Sequence, residues 1–423
     1  MDLKHAIQKC SHLHTALVAA RDAGNRMLSY PCFLLERMRP RRDGPIRVVF
    51  LIQEPSVWNK ALPTYRRMLA DPDFEPMILC LPSSLEGCFE CENETYRYFI
   101  QAGYSHVLNA VQGKGWLDPK TLHADYFVIL RPYDNYRPRP YKSINLCKYG
   151  KIVLIFYATQ LVPDMIPQLL NSGFLPSVSL YFAESEYARE VFLQKNKLKC
   201  LLGLQKSIYC GVPALESMLL MKDQLAPSWE FSRNSFRVVW TPRWSINPVD
   251  GGSNFLRYRE QLSIFFTAHS NMDLLIRPHP LMFQNFIDCA VMTQDEIDAF
   301  SRFCSEAKNI SLDVEKDYGA TFWNSSVLIC DTSSVMLDYF FTGRPLIFCR
   351  SVGIEWHFLP VYEKMLSACY SADSFEDISR ILDALQHGID PLKESRQKLV
   401  RELFPMTPLP SEIIVNALKE NKE

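Results

Sequence analysis

The sequence has almost no net charge. Lysine and arginine number 46, and aspartate and glutamate 47, among 423 residues. No single-signed field is available to draw nucleic acid onto the surface, so no nucleic-acid partner is expected. Also missing is any apolar run of about 18–20 residues, the length a membrane-spanning helix needs. The N-terminus has no apolar leader core with a cleavage site, so a cytoplasmic location is expected. No internal repeat or low-complexity stretch is visible. The 13 cysteines lack the spacing of a disulfide framework and read as reduced thiols. Cys88-Phe89-Glu90-Cys91 is a lone CxxC with no second pair or nearby histidine, so no zinc site is expected there.

The chain does have the means to bury a core. Hydrophobic residues make up 48% and charged residues 22% of the sequence, the balance of a folded soluble protein. Its length favours two domains over one. The rest of the chain is organised around Ser325–Phe348. Val327 to Cys330 is a short apolar run of the buried-strand kind, and Asp331-Thr332-Ser333-Ser334 breaks it sharply. Val335 to Phe341 is apolar at helical spacing, Gly343 stops it, and Leu346 to Cys349 begins another strand. Hydroxyls at a helix start suit a phosphate; the plainer alternative is that Ser333 or Thr332 serves only as a cap.

Strand-like runs alternate with helical ones through the rest of the chain. Strands are expected at Arg47–Gln53, Pro76–Leu81, Tyr126–Leu130, Ile152–Tyr157, Ser179–Phe182 and Ser207–Cys210. They restart at Arg237–Thr241, Asp273–Ile276 and Ile310–Leu312. Helices are expected at Trp58–Leu69, Glu92–Ala102, Glu184–Gln194, Phe255–Ala268, Phe375–Gln386, Leu392–Leu403 and Glu412–Glu420. This alternation predicts an α/β fold with parallel, doubly wound sheets. The domain boundary falls within 214–236, where Pro227 and Ser228 interrupt the pattern. Residues 1–38 are helical in pattern and run into Arg37, Arg39, Arg41 and Arg42. This segment is either an appendage packed on the first domain or a basic amphipathic helix on a membrane surface.

In a parallel sheet, ligands gather beyond the carboxyl ends of the strands. Three polar clusters occupy such positions: Thr241-Pro242-Arg243, Arg277-Pro278-His279-Pro280 and Asp331-Thr332-Ser333-Ser334. Two guanidinium groups, an imidazole and several hydroxyls around a helix start form a candidate diphosphate clamp. A lone histidine is more often structural, but two flanking prolines stiffen His279 just past a strand. Asp338 is either a ribose acceptor or a solvated helix residue. Nothing in the sequence requires a metal or other cofactor.

"TPRW", "LLIRPHP" and "VLICDTSSVMLDYFFTGRPLIF" resemble the motifs of the CDP-glycerol glycerophosphotransferases, the teichoic acid and capsule polymerases. The resemblance is specific over roughly Val238–Phe348 and looser over Arg47–Pro82. It implies a GT-B fold: two Rossmann-like parallel-sheet domains facing a cleft. The expected segments are a helical appendage at 1–44, an acceptor domain at 45–225, a nucleotide-donor domain at 226–390, and C-terminal helices at 391–423 that pack back on the first domain. The resemblance implies that Arg243, Arg277, His279, Ser333 and Ser334 bind the donor pyrophosphate; Thr241, Thr332 and Asp338 join them as donor-site candidates. Two positions depart from the family pattern. The strand end Phe156-Tyr157-Ala158-Thr159 lacks the histidine of the family's WHG motif, and Glu216 stands where an aspartate is usual. Glu54, after the first strand, is the substitute candidate base, against its reading as a plain loop carboxylate.

The expected activity is transfer of a glycerophosphate or sugar-type group from a nucleotide-activated donor such as CDP-glycerol. The acceptor would be a cell-surface glycan or lipid-linked precursor, with peripheral contact at the inner face of the cell membrane. Alternatives on the same fold are a nucleotide-sugar glycosyltransferase or epimerase, or a catalytically silent nucleotide-binding partner in capsule assembly.

Overall fold

A computed structural model describes residues 11–40, 42–85, 88–89, 92–157, 159, 173–247, 252–315 and 317–422. Contacts divide the chain into two compact units: Met1–Ala158 with Asp164–Glu216 and Pro408–Glu423, and Thr159–Pro163 with Ser217–Thr407.

The first unit is built on seven strands: β1 (Ile46–Ile52), β2 (Phe74–Cys80), β3 (Val107–Asn109), β4 (Tyr126–Ile129), β5 (Lys151–Ile155), β6 (Val178–Ala183) and β7 (Lys206–Tyr209). They form one sheet in the order β7-β6-β5-β4-β1-β2-β3, and every pairing is parallel. The apolar runs read from the sequence are these strands. β4 and β6 are buried throughout, as expected of strands covered on both faces. Phe50, Trp58, Tyr65, Phe99 and Tyr104 pack edge-to-face over β1, with Trp58 Nε1 donating to the Tyr104 hydroxyl at 3.0 Å. The C-terminal helix Pro410–Glu420 adds Ile414, Val415, Ala417 and Leu418 to this core, against the helix Leu62–Leu69. The preceding helix, Lys393–Leu403, belongs to the second unit.

The second unit carries β8 (Phe236–Thr241), β9 (Met272–Ile276), β10 (Ile310–Leu312), β11 (Val327–Cys330), β12 (Leu346–Cys349) and β13 (Tyr370–Ala372). Their order is β10-β9-β8-β11-β12-β13, again parallel throughout. Trp240, Phe255, Phe286 and Phe300 lie at the centre of its core. Gly343 follows the helix Val335–Phe340 at φ 73°, a left-handed conformation that glycine adopts without strain.

In each sheet the chain starts centrally, winds to one edge, returns and winds to the other. The reversal lies between β1 and β4 in the first unit and between β8 and β11 in the second. Such switch points leave a crevice at the strand carboxyl ends.

Several local expectations are corrected. The helix expected over Trp58–Leu69 is a 3-10 turn, Pro55–Lys60, followed by a separate helix from Leu62, because Pro63 fits only a helix's first turn. The helix placed from Glu92 starts at Glu94, where the Asn93 side chain accepts from Tyr96 N–H at 3.1 Å. β3, β13 and the helices Met282–Asp288, Gln294–Glu306 and Pro360–Leu366 were not anticipated. Cys91 of the CxxC and Arg41 of the basic run lie outside the described residues.

Candidate functional site

The second switch point is organised by Asp331, the first residue past β11, which is fully buried. Its Oδ2 accepts the backbone N–H of Arg243 at 2.8 Å and that of Asn254 at 3.0 Å; its Oδ1 accepts Asn254 Nδ2 at 2.7 Å. Burial raises its pKa to about 6, against the pull of these hydrogen bonds and of the Arg243 guanidinium. One carboxylate thus fastens the turn after β8 and the start of the helix Phe255–Ala268 to the end of β11.

Arg243 is held in turn. Its Nη1 donates to the Thr332 carbonyl at 2.7 Å, and its guanidinium lies 5.0 Å from the centre of the Trp356 ring. His279, beyond β9, has its pKa lowered by partial desolvation of its ring and by the Arg243 charge. The histidine remains solvent-accessible. Its Nδ1 accepts the Leu281 N–H at 3.2 Å, so neutral His279 carries its proton on Nε2. The Trp244 ring stands 6.0 Å away, centre to centre.

The hydroxyl cluster is not used for capping. Ser334 occupies the cap position of the six-residue helix Val335–Phe340, and its side chain makes no capping bond. The Thr241 and Thr332 hydroxyls are buried without a hydrogen-bond partner among the described residues. Ser333 and Ser334 are half-buried. Beside Asn254 lies a cavity of about 420 Å³, lined by Ile246, Ser253, Arg257, Val352 and Ile354 among others.

Two candidates are drawn inward. Arg277 Nη1 donates to the buried Asp313 carboxylate at 2.6 Å, and its guanidinium lies 5.3 Å from the Tyr318 ring centre. The Tyr318 hydroxyl donates to Asp338 Oδ2, and Asp338 is buried instead of solvated. Burial and the Asp338 charge push the Tyr318 pKa up. Arg243, His279, Thr241, Thr332, Ser333 and Ser334 therefore gather at the strand ends, while Arg277 and Asp338 brace the layer beneath.

The first unit repeats the arrangement at its own switch point. Glu54, past β1, accepts from Ser83 Oγ at 2.9 Å and from Arg131 Nη1, past β4, at 3.3 Å. Arg131 lies 5.9 Å from the ring centres of Tyr133 and Tyr136. Past β5, the Tyr157 hydroxyl is 3.3 Å from that of Tyr133. Burial and Tyr157 raise the Tyr133 pKa. Glu216 is buried and accepts the backbone N–H and the hydroxyl of Ser411 at 2.8 and 2.6 Å, fastening the start of the C-terminal helix.

Asn254, Asp313, Tyr318, Trp356 and Arg131 escaped the sequence reading. Arg131 carried a signal, since it directly follows an apolar run, as Arg277 does and Arg243 nearly does. The others are defined by partners distant in sequence. Among the described residues, no cluster of three or more His, Cys, Asp and Glu side chains is placed to hold a metal ion.

No protein-family model matches the sequence, and no curated protein matches it. Solved structures match along nearly the whole chain. A UDP-N-acetylglucosamine 2-epimerase aligns at a TM-score of 0.59 and 12% identity, over 90% of this chain and 96% of that one. The Neisseria meningitidis UDP-GlcNAc 2-epimerase bound to UDP-GlcNAc aligns at 0.56 and 12%, over 89% and 100%. The wall teichoic acid polymerase TagF aligns at 0.54 and 13%, over 100% and 98%. The fold is therefore α/β and GT-B-like, with parallel sheets of seven and six strands.

Proposed function

We propose that this chain is an enzyme that binds a nucleotide-activated donor at the strand ends of its second unit. In this reading it transfers a glycerophosphate or sugar-type group, with CDP-glycerol as the first donor to test. The observation that carries the reading is the tie across the switch point: Asp331 holds the turn bearing Arg243 against the end of β11, beside His279 and the serines. Arg243 offers a forked cation to a diphosphate, His279 offers Nε2–H, and Thr241, Thr332, Ser333 and Ser334 offer hydroxyls. As the bond to the donor breaks, charge accumulates on the leaving nucleotide (CMP when glycerophosphate leaves CDP-glycerol, a nucleoside diphosphate when a sugar is transferred), and these preplaced donors lower the barrier by stabilising it. The cavity beside Asn254 is the seat proposed for the nucleoside. Arg277 and Asp338 support this layer from beneath.

Acceptor activation is assigned to the first unit, with Glu54 as the base that takes the hydroxyl proton. Its neighbours Ser83 and Arg131 orient the carboxylate. The proposed acceptor is a cell-surface glycan or its lipid-linked precursor.

Epimerisation of a nucleotide sugar is the second reading. It is favoured by the missing histidine at the strand end Phe156–Thr159, and by the lengthwise likeness to solved UDP-N-acetylglucosamine 2-epimerases. Calorimetric titration with CDP-glycerol and UDP-N-acetylglucosamine, followed by product analysis, tests both readings. Binding of neither at millimolar concentration overturns the donor-site assignment. Binding without turnover, with or without an acceptor, leaves the catalytically silent reading standing.

Peripheral membrane contact is proposed through the N-terminal helix Ser11–Met38. Leu17, Met27, Leu28, Leu34, Leu35 and Met38 are all exposed on it, several of them three, four or seven residues apart. Three arginines of the basic run are engaged by the protein itself. Arg37 donates to the Leu202 and Gly203 carbonyls, Arg39 to the Ala124 carbonyl, and Arg42 to the Pro45 carbonyl and Glu75.

A further inference from the structure

Within the first unit, the helix Ser11–Met38 meets the short helix Ser143–Leu146 at two cysteines. Cys32 Sγ donates to the Ile144 carbonyl at 3.7 Å, and Cys147 Sγ donates to the same oxygen at 3.5 Å. Two thiols far apart in sequence therefore crowd onto one acceptor. Cys32 is half-buried and Cys147 is buried. We propose that Cys32 and Cys147 form a thiol-modification site that reacts with small-molecule disulfides and closes as an internal disulfide.

The two sulfurs are unequal in the way such a site requires. The adjoining Cys147 thiol and the positive charge of Lys148 hold the Cys32 pKa below that of an ordinary thiol, against burial. The neighbouring Cys32 and deeper burial push Cys147 up. The half-exposed thiol is thus the nucleophile, and the buried one is the resolving thiol. Other charged or polar groups facing the pair are Lys199, which packs over Tyr30 and Phe33 and whose own pKa is lowered by burial against the opposing pull of Cys147, and the buried Ser177, which counters part of the rise at Cys147. Cys80, Cys210, Cys304 and Cys349 are instead buried, and burial raises their pKa values.

The chemistry balances without an added electron carrier. The Cys32 thiolate attacks one sulfur of a disulfide such as oxidised glutathione, forming a mixed disulfide and releasing one thiolate. Cys147 then loses its proton to solvent and attacks the Cys32 sulfur, expelling the second small thiolate. One small disulfide is reduced to two thiols, and the two protein thiols become one disulfide. The product ties the N-terminal helix to the segment behind Arg131, because Asp134 in that segment accepts from Ser143 N–H and Oγ at 2.9 and 2.5 Å.

The test uses the full chain, reduced, exchanged into graded ratios of oxidised to reduced glutathione, quenched by alkylation and mapped by mass spectrometry. The expected product is a Cys32–Cys147 linkage whose rate does not depend on protein concentration and which dithiothreitol reverses. Cys147→Ser should stop at a Cys32–glutathione mixed disulfide, and Cys32→Ser should yield neither species while exposed Cys289 still reacts. Circular dichroism of each variant shows whether it is folded. Two results would overturn the proposal: Cys289 modified while Cys32 and Cys147 stay reduced in the wild type, or Cys32 recovered paired with another cysteine.

Discussion

The carboxylate of Asp331 and the backbone N–H of Arg243 are joined at 2.8 Å across the reversal point of the second sheet. The bond links the residue after one central strand to the turn after its neighbour, so the guanidinium is presented from a fixed backbone. Arg277 follows the next strand but is committed to Asp313 at 2.6 Å. Two arginines that look equivalent in the sequence therefore have different expected effects. Arg243→Ala should weaken donor binding by about ten- to a hundredfold, the range of a charge-assisted hydrogen bond, with a near-native melting temperature. Arg277→Ala should leave the buried Asp313 carboxylate without its cation and cost on the order of 3 kcal/mol of stability. Thermal unfolding and calorimetric titration of both variants check the contrast, which fails if their profiles are interchangeable.

Glu216 gives a prediction about stability alone. It accepts two hydrogen bonds from Ser411, at the start of a helix whose apolar residues complete the first core. Glu216→Ala should strand the Ser411 N–H and cost about 1–3 kcal/mol. The unfolding midpoint should fall while donor affinity per folded molecule stays the same. An affinity loss with unchanged stability would return Glu216 to the binding machinery.

Membrane contact has its own test. With Arg37, Arg39 and Arg42 engaged by the protein, the apolar side chains of the first helix should dominate any lipid binding. Met27→Asp with Leu28→Asp should abolish co-sedimentation with anionic vesicles, whereas Arg37→Gln should change it little. Equal sedimentation of both variants and the wild type would remove this face from the account.

The two sheets were legible because parallel strands buried on both faces read as uninterrupted apolar runs, such as Val327–Cys330. The edge strands Val107–Asn109 and Tyr370–Ala372 were not, since their residues are largely half-exposed and make no such run. The helix Gln294–Glu306 did carry a signal: Thr293 and Glu296 form a capping box three residues apart. At the candidate site, Asp331, Arg243 and His279 stood out because polarity breaks sharply after each strand. Their partners did not. That Asn254 would meet Asp331, or Tyr318 would meet Asp338, depends on strand order, which no local pattern encodes.

His279 supports the most discriminating prediction, because its protonation and its binding are linked. Partial desolvation and the Arg243 charge depress its pKa below the ordinary histidine value, so the neutral form, with its proton on Nε2, predominates in the unliganded protein at pH 7. The unfolded chain then binds more protons than the folded one just below the ordinary histidine pKa of about 6.5. Stability of the unliganded protein should accordingly rise with pH through that window, and His279→Gln should remove this rise. A donor diphosphate has the opposite effect. Its negative charge favours the imidazolium, so binding should take up a proton and tighten as pH falls from 8 towards 6. Calorimetry in buffers of different ionisation enthalpy reads that uptake directly. His279→Gln should bind about ten- to a hundredfold more weakly at pH 6 and lose the proton uptake, with a smaller deficit at pH 8 where the wild-type histidine is neutral too. Ser333→Ala should cost less at either pH, because Ser334 and the other hydroxyls remain. A His279→Gln protein with wild-type affinity and wild-type proton uptake would take the histidine out of the site and remove the imidazole from the proposed diphosphate contacts.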